Sequence, residues 1–395
     1  MAYKVPFVDV PKQYQIIKEE VLRTIDDVLS RGDLILRKDV EDFEKNIASY
    51  VGTKYAVSLN SGTDTMFLSL KALGIGPGDE VITVSHTFVA SIAVIVQTGA
   101  KPILVDVKED FTMDVDKLEA AITEKTKAII PVHLNGRMCE MDKLMEIVKS
   151  HNLIVIEDAA QAIGSKYQGK MAGSFGLAGS FSLYPFKVLG CFGDGGVLTT
   201  DDENLAEKVR LLRNHGQKTP APEQARYGAG KTEIVCFGFN SRLDNIQAAI
   251  LNLKFKYLPQ YIERRRKIAL LYQKGLADVK GVKLPPSPDS DEKHFDNFQN
   301  YVLTAEKRDE LYNFLKEKGV ETLIKDPIAN HKQPGLRLSH FNLPHTERLA
   351  EQVISLPMYP ELSREQIEYV IECVRDFYKA KRTMFSSSSS LPTEA

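Results

Sequence analysis

The first 160 residues alternate short apolar runs with longer amphipathic stretches, and this alternation strongly constrains the fold. Each run is rich in Val and Ile at consecutive positions, which is typical of a strand buried on both faces of a parallel sheet. The stretches between the runs have the periodicity of helices. The pattern predicts an α/β fold with a mostly parallel sheet between helices. The predicted strands span residues 55–59, 80–84, 102–107, 128–134 and 153–156.

The pattern changes in the second half of the chain. Two Gly-bounded runs at 180–183 and 196–200 could pair as neighbours in the same sheet, and a segment rich in Gly and Pro at 215–238 predicts a long loop. A long helical pattern begins at about Leu243, and strand-like and helical segments follow it. A length of 395 residues favours two domains over one core. We expect a large domain over 1–255, a smaller C-terminal α/β domain over 256–380 and a disordered tail over 381–395.

Composition excludes several classes of protein. Lysine and arginine total 51 against 53 acidic residues, so nothing favours nucleic acid or an anionic membrane as a partner. The four cysteines form no CxxC pair and the eight histidines have no metal-ligand spacing, so we expect no disulfide framework and no metal site. The start of the chain lacks the apolar segment of a signal peptide, and the apolar runs are too short to span a membrane. These features favour a cytoplasmic protein.

A polar turn follows the first predicted strand and opens a helical pattern. It contains Ser61, Gly62 and Thr63. A turn between a strand and a helix presents free backbone N–H groups and the positive end of the helix dipole, which suit a phosphate group. The alternative is an ordinary helix cap without a ligand. The residues of this turn do not decide between the two interpretations.

Two further residues carry charge at predicted strand ends. Asp158 follows the run at 153–156 and ends that buried strand, so its carboxylate is expected at the carboxyl edge of the sheet, where open α/β sheets bind ligands. Lys187 lies among apolar and aromatic residues, where burial lowers the pKa of an amine and makes it a nucleophile. A capping role for Asp158 and a lysine that extends to solvent are the alternatives.

Taken together, these segments resemble the DegT/DnrJ/EryC1/StrS family of sugar aminotransferases. The resemblance covers nearly the whole chain, and the order and spacing of its motifs are specific although each motif is weak alone. The matching segments are Ser61-Gly62-Thr63-Asp64, Gly78-Asp79-Glu80-Val81, Thr87-Phe88-Val89-Ala90, Pro131-Val132-His133-Leu134, Glu157-Asp158-Ala159-Ala160-Gln161, Phe181-Ser182, Lys187, Gly193-Asp194-Gly195-Gly196 and Asn240-Ser241-Arg242-Leu243-Asp244.

The resemblance implies the fold of fold-type I pyridoxal-phosphate enzymes and a homodimer with shared active sites. It implies that Lys187 forms a Schiff base with pyridoxal 5'-phosphate, that Asp158 binds the pyridine nitrogen and that Phe88 stacks on the ring. Gln161 is expected at the other side of the ring or at its phenolic oxygen. The residues that the resemblance assigns to the phosphate and its surroundings are Ser61, Gly62, Thr63, Ser182 and, from the partner subunit, Asn240.

The resemblance also implies L-glutamate as the amino donor and a keto sugar, usually linked to a nucleotide diphosphate, as the acceptor. His133, Tyr184 and His331 are the candidate substrate contacts. The chain departs from the family at Asn135-Gly136-Arg137 and between Thr322 and Gly335, two regions that border the sugar site in relatives.

Three alternative functions stay open. A sugar dehydratase on the same fold is disfavoured by Lys187, because such relatives carry histidine in its place. An aminotransferase that acts on a keto-cyclitol cannot be separated from a sugar aminotransferase by these residues. A non-catalytic regulatory protein is disfavoured by the presence of both Lys187 and Asp158.

Overall fold

The computed structural model describes residues 3–218 and 233–388. Part of the loop predicted at 215–238 and the end of the tail predicted at 381–395 lie outside the described residues. The described helices are Val10–Arg31 (α1), Lys38–Val51 (α2), Gly62–Ala72 (α3), Ala90–Thr98 (α4), Leu118–Ala121 (α5), Met141–Ser150 (α6), Glu203–Arg213 (α7), Asn245–Phe255 (α8), Leu258–Leu276 (α9), Arg308–Glu317 (α10), Pro344–Gln352 (α11) and Arg364–Ser388 (α12). None of these helices is long and apolar enough to cross a membrane.

Strands alternate with the helices in the first 200 residues and are sparser afterwards. They are Tyr55–Leu59 (β1), Glu80–Val84 (β2), Lys101–Val105 (β3), Thr126–Ile129 (β4), Ile154–Asp158 (β5), Lys166–Tyr167 (β6), Lys170–Met171 (β7), Ala178–Ser182 (β8), Gly196–Thr200 (β9), Val282–Lys283 (β10), His294–Phe295 (β11), Tyr301–Ala305 (β12) and Val353–Leu356 (β13).

The central sheet of the described chain has seven strands in the order β1-β9-β8-β5-β4-β2-β3. Neighbours from β8 through β3 pair in parallel, whereas β9 is antiparallel to both β1 and β8. The predicted mixed, mostly parallel sheet is therefore confirmed, and so is the pairing of the two Gly-bounded runs. Because β9 is antiparallel to both of its neighbours, β1 runs in the same direction as β8 and β5.

Alternate strand residues enter two separate cores, one on each face of the sheet. Val81, Ile156 and Leu198 pack with α3, α4 and α7 on one face. Ile82 and Val155 belong to the other core, which includes residues of α2, α6 and α8. This two-sided burial explains why the strands are apolar at consecutive positions instead of alternating.

A third core lies in the C-terminal part and contains residues of α9, α10, α12, β12 and β13. Helix α9 joins the cores, since Ile262 belongs to a core of the large sheet and Ile268 to the C-terminal core. The N-terminal segment, predicted to belong to the large domain, places the fully buried Val5 in the C-terminal core. A parallel bridge joins Val5 to Val320. The proposed boundary near residue 256 stays a prediction, because α9 runs through both cores.

The structure differs from the sequence prediction at three places. The long helix predicted from about Leu243 is two helices, α8 and α9, and Pro259 occupies the first turn of the second. A proline at that position is compatible with a helix start but not with a helix interior, which explains the break.

Strand β4 ends at Ile129, shortly before Pro131, which has no N–H to donate to a neighbouring strand. Helix α12 extends to Ser388, so the first part of the segment predicted to be disordered is helical.

A buried ion pair connects α2, β1 and α7. The Glu44 carboxylate accepts hydrogen bonds from the backbone N–H and the hydroxyl of Ser58, both at 2.9 Å, and from the Arg213 guanidinium at 2.5 Å. Both charged residues are buried.

We predict that Arg213→Met lowers the free energy of unfolding by about 3 kcal/mol, because it leaves the buried Glu44 carboxylate with only the more distant and more exposed Arg210, 3.8 Å away, as a cation. Urea denaturation followed by circular dichroism measures the change. Lys208→Met on the exposed side of the same helix is the matched control and should change stability by less than about 1 kcal/mol. Equal shifts for the two variants would contradict a special contribution from the buried pair.

Candidate active site

A cavity of about 550 Å³ lies at the carboxyl edge of the central sheet. Its volume falls within the range of about 300–1,000 Å³ that small-molecule sites occupy. The carboxyl ends of β1, β2, β5 and β8 meet here, because these strands run in one direction. Ten of the twelve predicted site residues line the cavity, namely Ser61, Gly62, Thr63, Phe88, His133, Asp158, Gln161, Ser182, Tyr184 and Lys187.

One end of the cavity is formed by the first turn of α3. The hydroxyl of Ser61 caps the helix by accepting a hydrogen bond from the N–H of Asp64 at 3.0 Å. The N–H groups of Gly62 and Thr63 lie in the first turn, where a helix has no internal acceptors for them. Gly62 also lies against Ser182, since a Cβ atom at Gly62 would be 2.8 Å from the Ser182 Cβ. This turn combines free helix N–H groups, the hydroxyls of Ser61 and Thr63 and the close approach of the Gly62 backbone to Ser182. The combination suits a phosphate.

Lys187 follows β8 and extends into the same cavity. Burial in the cavity wall lowers the pKa of its amine to about 7. The charge of Lys325 lowers this pKa further, whereas Asp158 acts in the opposite direction. A lysine with such a pKa is largely neutral just above pH 7, which is the form that attacks a carbonyl carbon.

The loop that carries Lys187 is held by a residue from the C-terminal part of the chain. The side chain of Gln299 accepts a hydrogen bond from the N–H of Val188 at 2.9 Å and donates one to the carbonyl of Phe186 at 2.9 Å. These two backbone groups flank Lys187. Gln299 therefore fixes the position of the lysine without bonding to its amine.

Asp158 ends β5 and presents a buried carboxylate to the cavity. Its Oδ2 atom accepts a hydrogen bond from the hydroxyl of Ser91 at 2.6 Å, and its Oδ1 atom accepts one from the N–H of Ala160 at 3.2 Å. The Ser91 hydroxyl is itself 2.9 Å from that of Thr87. These contacts orient the carboxylate and leave it free of an ion pair with the described residues, so it can pair with a protonated ring nitrogen.

Polar residues form the wall beside Asp158. The Gln161 side-chain oxygen accepts hydrogen bonds from the N–H of Asn135 at 2.9 Å and from the side chain of Asn300 at 3.1 Å. The Nε2 atom of His133 lies 3.0 Å from the Glu157 carboxylate, which three backbone N–H groups also contact. His133 is consequently fixed at the cavity wall by a carboxylate behind it.

Aromatic side chains line the more open part of the cavity. Phe88 is 55% exposed although it lines the cavity, so one of its faces is available to a ligand. Tyr184 and Phe186 are also exposed and meet edge to face with their ring centroids 5.2 Å apart. Exposed aromatic rings at a cavity entrance provide apolar surface for a flat ring or a sugar.

The two remaining predicted site residues do not line the cavity of this chain. Asn240 is exposed, and its backbone forms a bridge with Asn214. His331 is fully buried, and its ring nitrogens lie 2.8 Å from the Ser85 hydroxyl and 3.1 Å from the Glu347 carboxylate. Both nitrogens of His331 already have partners, so the prediction that it contacts substrate is not supported by this geometry.

Several residues of the cavity were not predicted from the sequence. Gln299, Asn300 and Lys325 line it, and the buried Ser91 is connected to it only through its hydrogen bond to Asp158. Ser91 lies three positions after Phe88, at the start of α4. Its place next to the predicted ring-stacking residue could have indicated that it belongs to the site. Tertiary packing brings three distant residues to the site, namely Gln299, Asn300 and Lys325. Of these, only Lys325 lies in a segment that the sequence singled out, the departure from the family pattern between Thr322 and Gly335.

The residues present fit pyridoxal phosphate. The close approach of Gly62 to Ser182 and the free N–H groups of α3 suit its phosphate, and the carboxylate of Asp158 suits its ring nitrogen. Phe88 offers an exposed ring face, and Lys187 supplies an amine of lowered pKa. The phosphate, the ring nitrogen, the ring face and the aldehyde of the cofactor thus each have a matching group on one cavity.

We predict that covalent attachment of pyridoxal phosphate to the cofactor-free protein depends on pH with a midpoint near 7. Below that pH the Lys187 amine is protonated and cannot attack the aldehyde, whereas above it the neutral amine attacks. The side-chain pKa of an ordinary lysine is about 10.4, so an ordinary lysine would require a pH near 10. The initial rate of growth of the visible absorption band between pH 5.5 and 9.5 measures the midpoint.

Two variants separate the causes of this lowered pKa. Lys325→Met should move the midpoint upwards, since it removes a positive charge near Lys187. Lys332 lies in the same segment and forms a partly exposed ion pair with Glu347. Lys332→Met removes this positive charge and should leave the pH midpoint unchanged. A wild-type midpoint above pH 9 would contradict the assignment of a desolvated amine.

Comparisons with known proteins agree with this site. Residues 15–375 match the DegT/DnrJ/EryC1/StrS aminotransferase family. The chain is 43% identical to a pleiotropic regulatory protein of Geobacillus stearothermophilus, over 95% of this chain and 99% of the relative. It is 40% identical to the dTDP-3-amino-3,4,6-trideoxy-alpha-D-glucose transaminase of Streptomyces venezuelae, over 95% of this chain and 96% of the relative.

Solved structures lead to the same result. The fold matches the crystal structure of S. venezuelae DesV in complex with a ketimine intermediate, with a TM-score of 0.89, 39% identity and coverage of 96% of this chain and 99% of the other. Other matching structures are in pyridoxal- and pyridoxamine-phosphate forms. The cofactor expected from the sequence is thereby supported. This chain belongs to the DegT/DnrJ/EryC1/StrS aminotransferase family.

Proposed function

We propose that this protein transfers the amino group of L-glutamate to a keto sugar linked to a nucleoside diphosphate, forming 2-oxoglutarate and an amino sugar. The observation that carries the proposal is the placement of Lys187, Asp158 and the first turn of α3 around one cavity. The similarity to a dTDP-sugar transaminase supports the choice of acceptor. The aromatic entrance formed by Tyr184 and Phe186 adds apolar surface suited to a sugar ring.

Pyridoxal phosphate, when bound, supplies an electron sink for the bonding electrons of the Cα–H bond. The side chains of this protein supply binding, orientation and proton transfer. The Lys187 amine removes the proton from the Cα of the donor, and Asp158 keeps a proton on the ring nitrogen. Ser91 and the N–H of Ala160 hold the Asp158 carboxylate in place. Gln299 holds the backbone on both sides of Lys187.

The function can be tested in two half-reactions. L-glutamate added to the cofactor-loaded protein should bleach the visible band and release one equivalent of 2-oxoglutarate; a nucleotide-linked keto sugar should then restore the band and yield an amino sugar detectable by mass spectrometry. Asp158→Asn retains the shape but loses the charge, so both half-reactions should slow by about 100-fold, equivalent to about 3 kcal/mol of transition-state stabilisation. Lys187→Ala should lose the lysine-linked band.

The outcomes also separate the alternatives. Restoration of the band by a keto-cyclitol, and not by any nucleotide-linked keto sugar, would contradict the proposed acceptor. Absence of bleaching by glutamate and other amino donors would contradict the enzyme function and favour a regulatory role, which is the role named for the Geobacillus relative. Near-normal turnover of Asp158→Asn would contradict the role of its carboxylate.

We also propose that the active site is shared between the two subunits of a homodimer. Ile234 and Phe237 are 68% and 101% exposed, and Val235 and Phe239 are exposed beside them. A cluster of exposed apolar side chains in one segment favours a protein interface. Asn240 follows this segment, and the hydroxyl of the adjacent Ser241 donates to the Asp64 carboxylate at the start of α3. The contact of Ser241 lies within one chain, and the reach of Asn240 to the phosphate turn of the partner subunit is what the resemblance to the family implies.

We predict that two inactive variants complement each other in a heterodimer. Lys187→Ala and Asn240→Glu are co-expressed with different tags, and the heterodimer is isolated through both tags. In a two-fold dimer with sites shared in this way, one site carries both defects and the other carries neither. The heterodimer should therefore recover about half of the wild-type activity, while each homodimer stays nearly inactive.

The control for this experiment is the heterodimer of Lys187→Ala with the wild-type chain, which should also have about half of the activity. If Asn240 acted within its own chain, each site of the mixed variant would carry one defect. An intact mixed heterodimer, saturated with cofactor and as inactive as its parents, would therefore contradict the shared site.

We further propose a cytoplasmic location. Its support is the set of four cysteines, of which Cys139, Cys191 and Cys373 are buried and all are free. Free buried thiols are typical of proteins from a reducing compartment.

A further inference from the structure

A second lysine, Lys325, lines the active-site cavity together with Lys187 and Asp158. It lies in the segment between Thr322 and Gly335, where the chain departs from the family pattern. Its Nζ atom is 5.9 Å from the centroid of the Phe88 ring, which places the ammonium beside the ring expected to stack on the cofactor. The charge of Lys325 is also close enough to influence Lys187.

Lys325 forms no hydrogen bond and no ion pair with any residue in the described part of the chain. Asp326 and Asp158 attract its charge from a distance, but neither lies within ion-pair range. Asp158 is already held by Ser91 and Ala160 and faces the position of the ring nitrogen. Burial accordingly lowers the pKa of the Lys325 amine. A cation on a cavity wall with no ion-pair partner among the described residues is unfavourable in the free protein, and a bound anion would reduce that cost.

The cofactor phosphate does not require this cation. The N–H groups of Gly62 and Thr63 and the hydroxyl of Ser182 already serve it at the first turn of α3. Lys325 instead adjoins Leu323 and the exposed face of Phe88, on the wall contributed by the C-terminal part of the chain. The anion that meets Lys325 is therefore brought by a substrate.

We propose that Lys325 binds a carboxylate of the substrate and is a specificity-determining residue of this enzyme. The proposal rests on the aminotransferase function. Two substrates can supply the carboxylate, namely the amino donor and a keto sugar oxidised to a uronic acid. A lysine ammonium provides three donors for either carboxylate at the edge of the cofactor.

The test compares Lys325→Met, which removes the charge, with Lys325→Arg, which restores it. Lys332→Met is the matched control, since it removes a partly exposed charge from the same segment. Every variant is first checked for wild-type thermal stability and for the lysine-linked visible band, which shows that the cofactor is bound. Both half-reactions are then measured under single-turnover conditions as a function of substrate concentration.

The two half-reactions identify the source of the carboxylate. If Lys325 binds the donor, Lys325→Met should raise the half-saturating concentration of L-glutamate by about 10- to 100-fold, the scale of one charge-assisted hydrogen bond. If it binds the acceptor, the same loss should appear with a nucleotide-linked keto-hexuronate and not with the matching neutral keto-hexose. In either case Lys325→Arg should recover most of the affinity, and Lys332→Met should be unaffected.

Other outcomes overturn the proposal. A Lys325→Met enzyme that saturates like the wild type, within twofold, with glutamate and with the hexuronate would show that no carboxylate meets this residue. An equal loss with the hexuronate and the neutral keto-hexose that is relieved in Lys325→Arg would show that the residue meets the diphosphate of the acceptor instead of a carboxylate. An equal loss that is not relieved in Lys325→Arg would show a structural role. Failure of the wild-type protein to react with any amino donor would refute the aminotransferase function itself, which distinguishes that failure from failure of the Lys325 assignment.

Discussion

The parallel pairing of β5 with β8 places Asp158 and the loop of Lys187 at one edge of the central sheet. Strand β1 runs in the same direction, so the first turn of α3 opens at that edge as well. A ligand with a ring and a phosphate can then bind a carboxylate, an amine and a helix N-terminus at once. The chemistry of the site follows from this shared strand direction, since an antiparallel arrangement would carry one of these groups to the opposite edge.

The electrostatics of the cavity depend on enclosure. Lys187 and Lys325 are two amines on a cavity wall that also carries the carboxylates of Asp158 and Asp194, and burial lowers the pKa of both amines. A neutral Lys187 serves as nucleophile and base, whereas Lys325 becomes more favourable as a cation when an anion arrives. Two lysines a short distance apart can therefore serve different roles, because their surroundings differ.

The C-terminal part of the chain completes the site. Gln299 holds the backbone on both sides of Lys187, Asn300 bonds to Gln161, and Lys325 adds a cation to the wall. Lys187 and Asp158 thus follow or end strands of the central sheet, while some of the groups that position them or face the substrate come from the C-terminal part of the chain. This arrangement allows substrate preference to change without altering the residues that hold the cofactor, and one of the two departures from the family pattern, between Thr322 and Gly335, lies in this second set.

The amino-acid sequence by itself determined the α/β class, the main strands and the residues placed at strand ends, because two-sided burial and local turns leave a pattern among neighbouring residues. Ser61, Gly62, Asp158 and Lys187 were predictable for this reason. Only the tertiary structure decided which distant residues join them. Gln299 lies 112 positions from Lys187, and no local pattern records that contact. His331 is enclosed by Ser85 and Glu347, whereas Lys325 of the same segment lines the cavity, and no local pattern distinguishes the two.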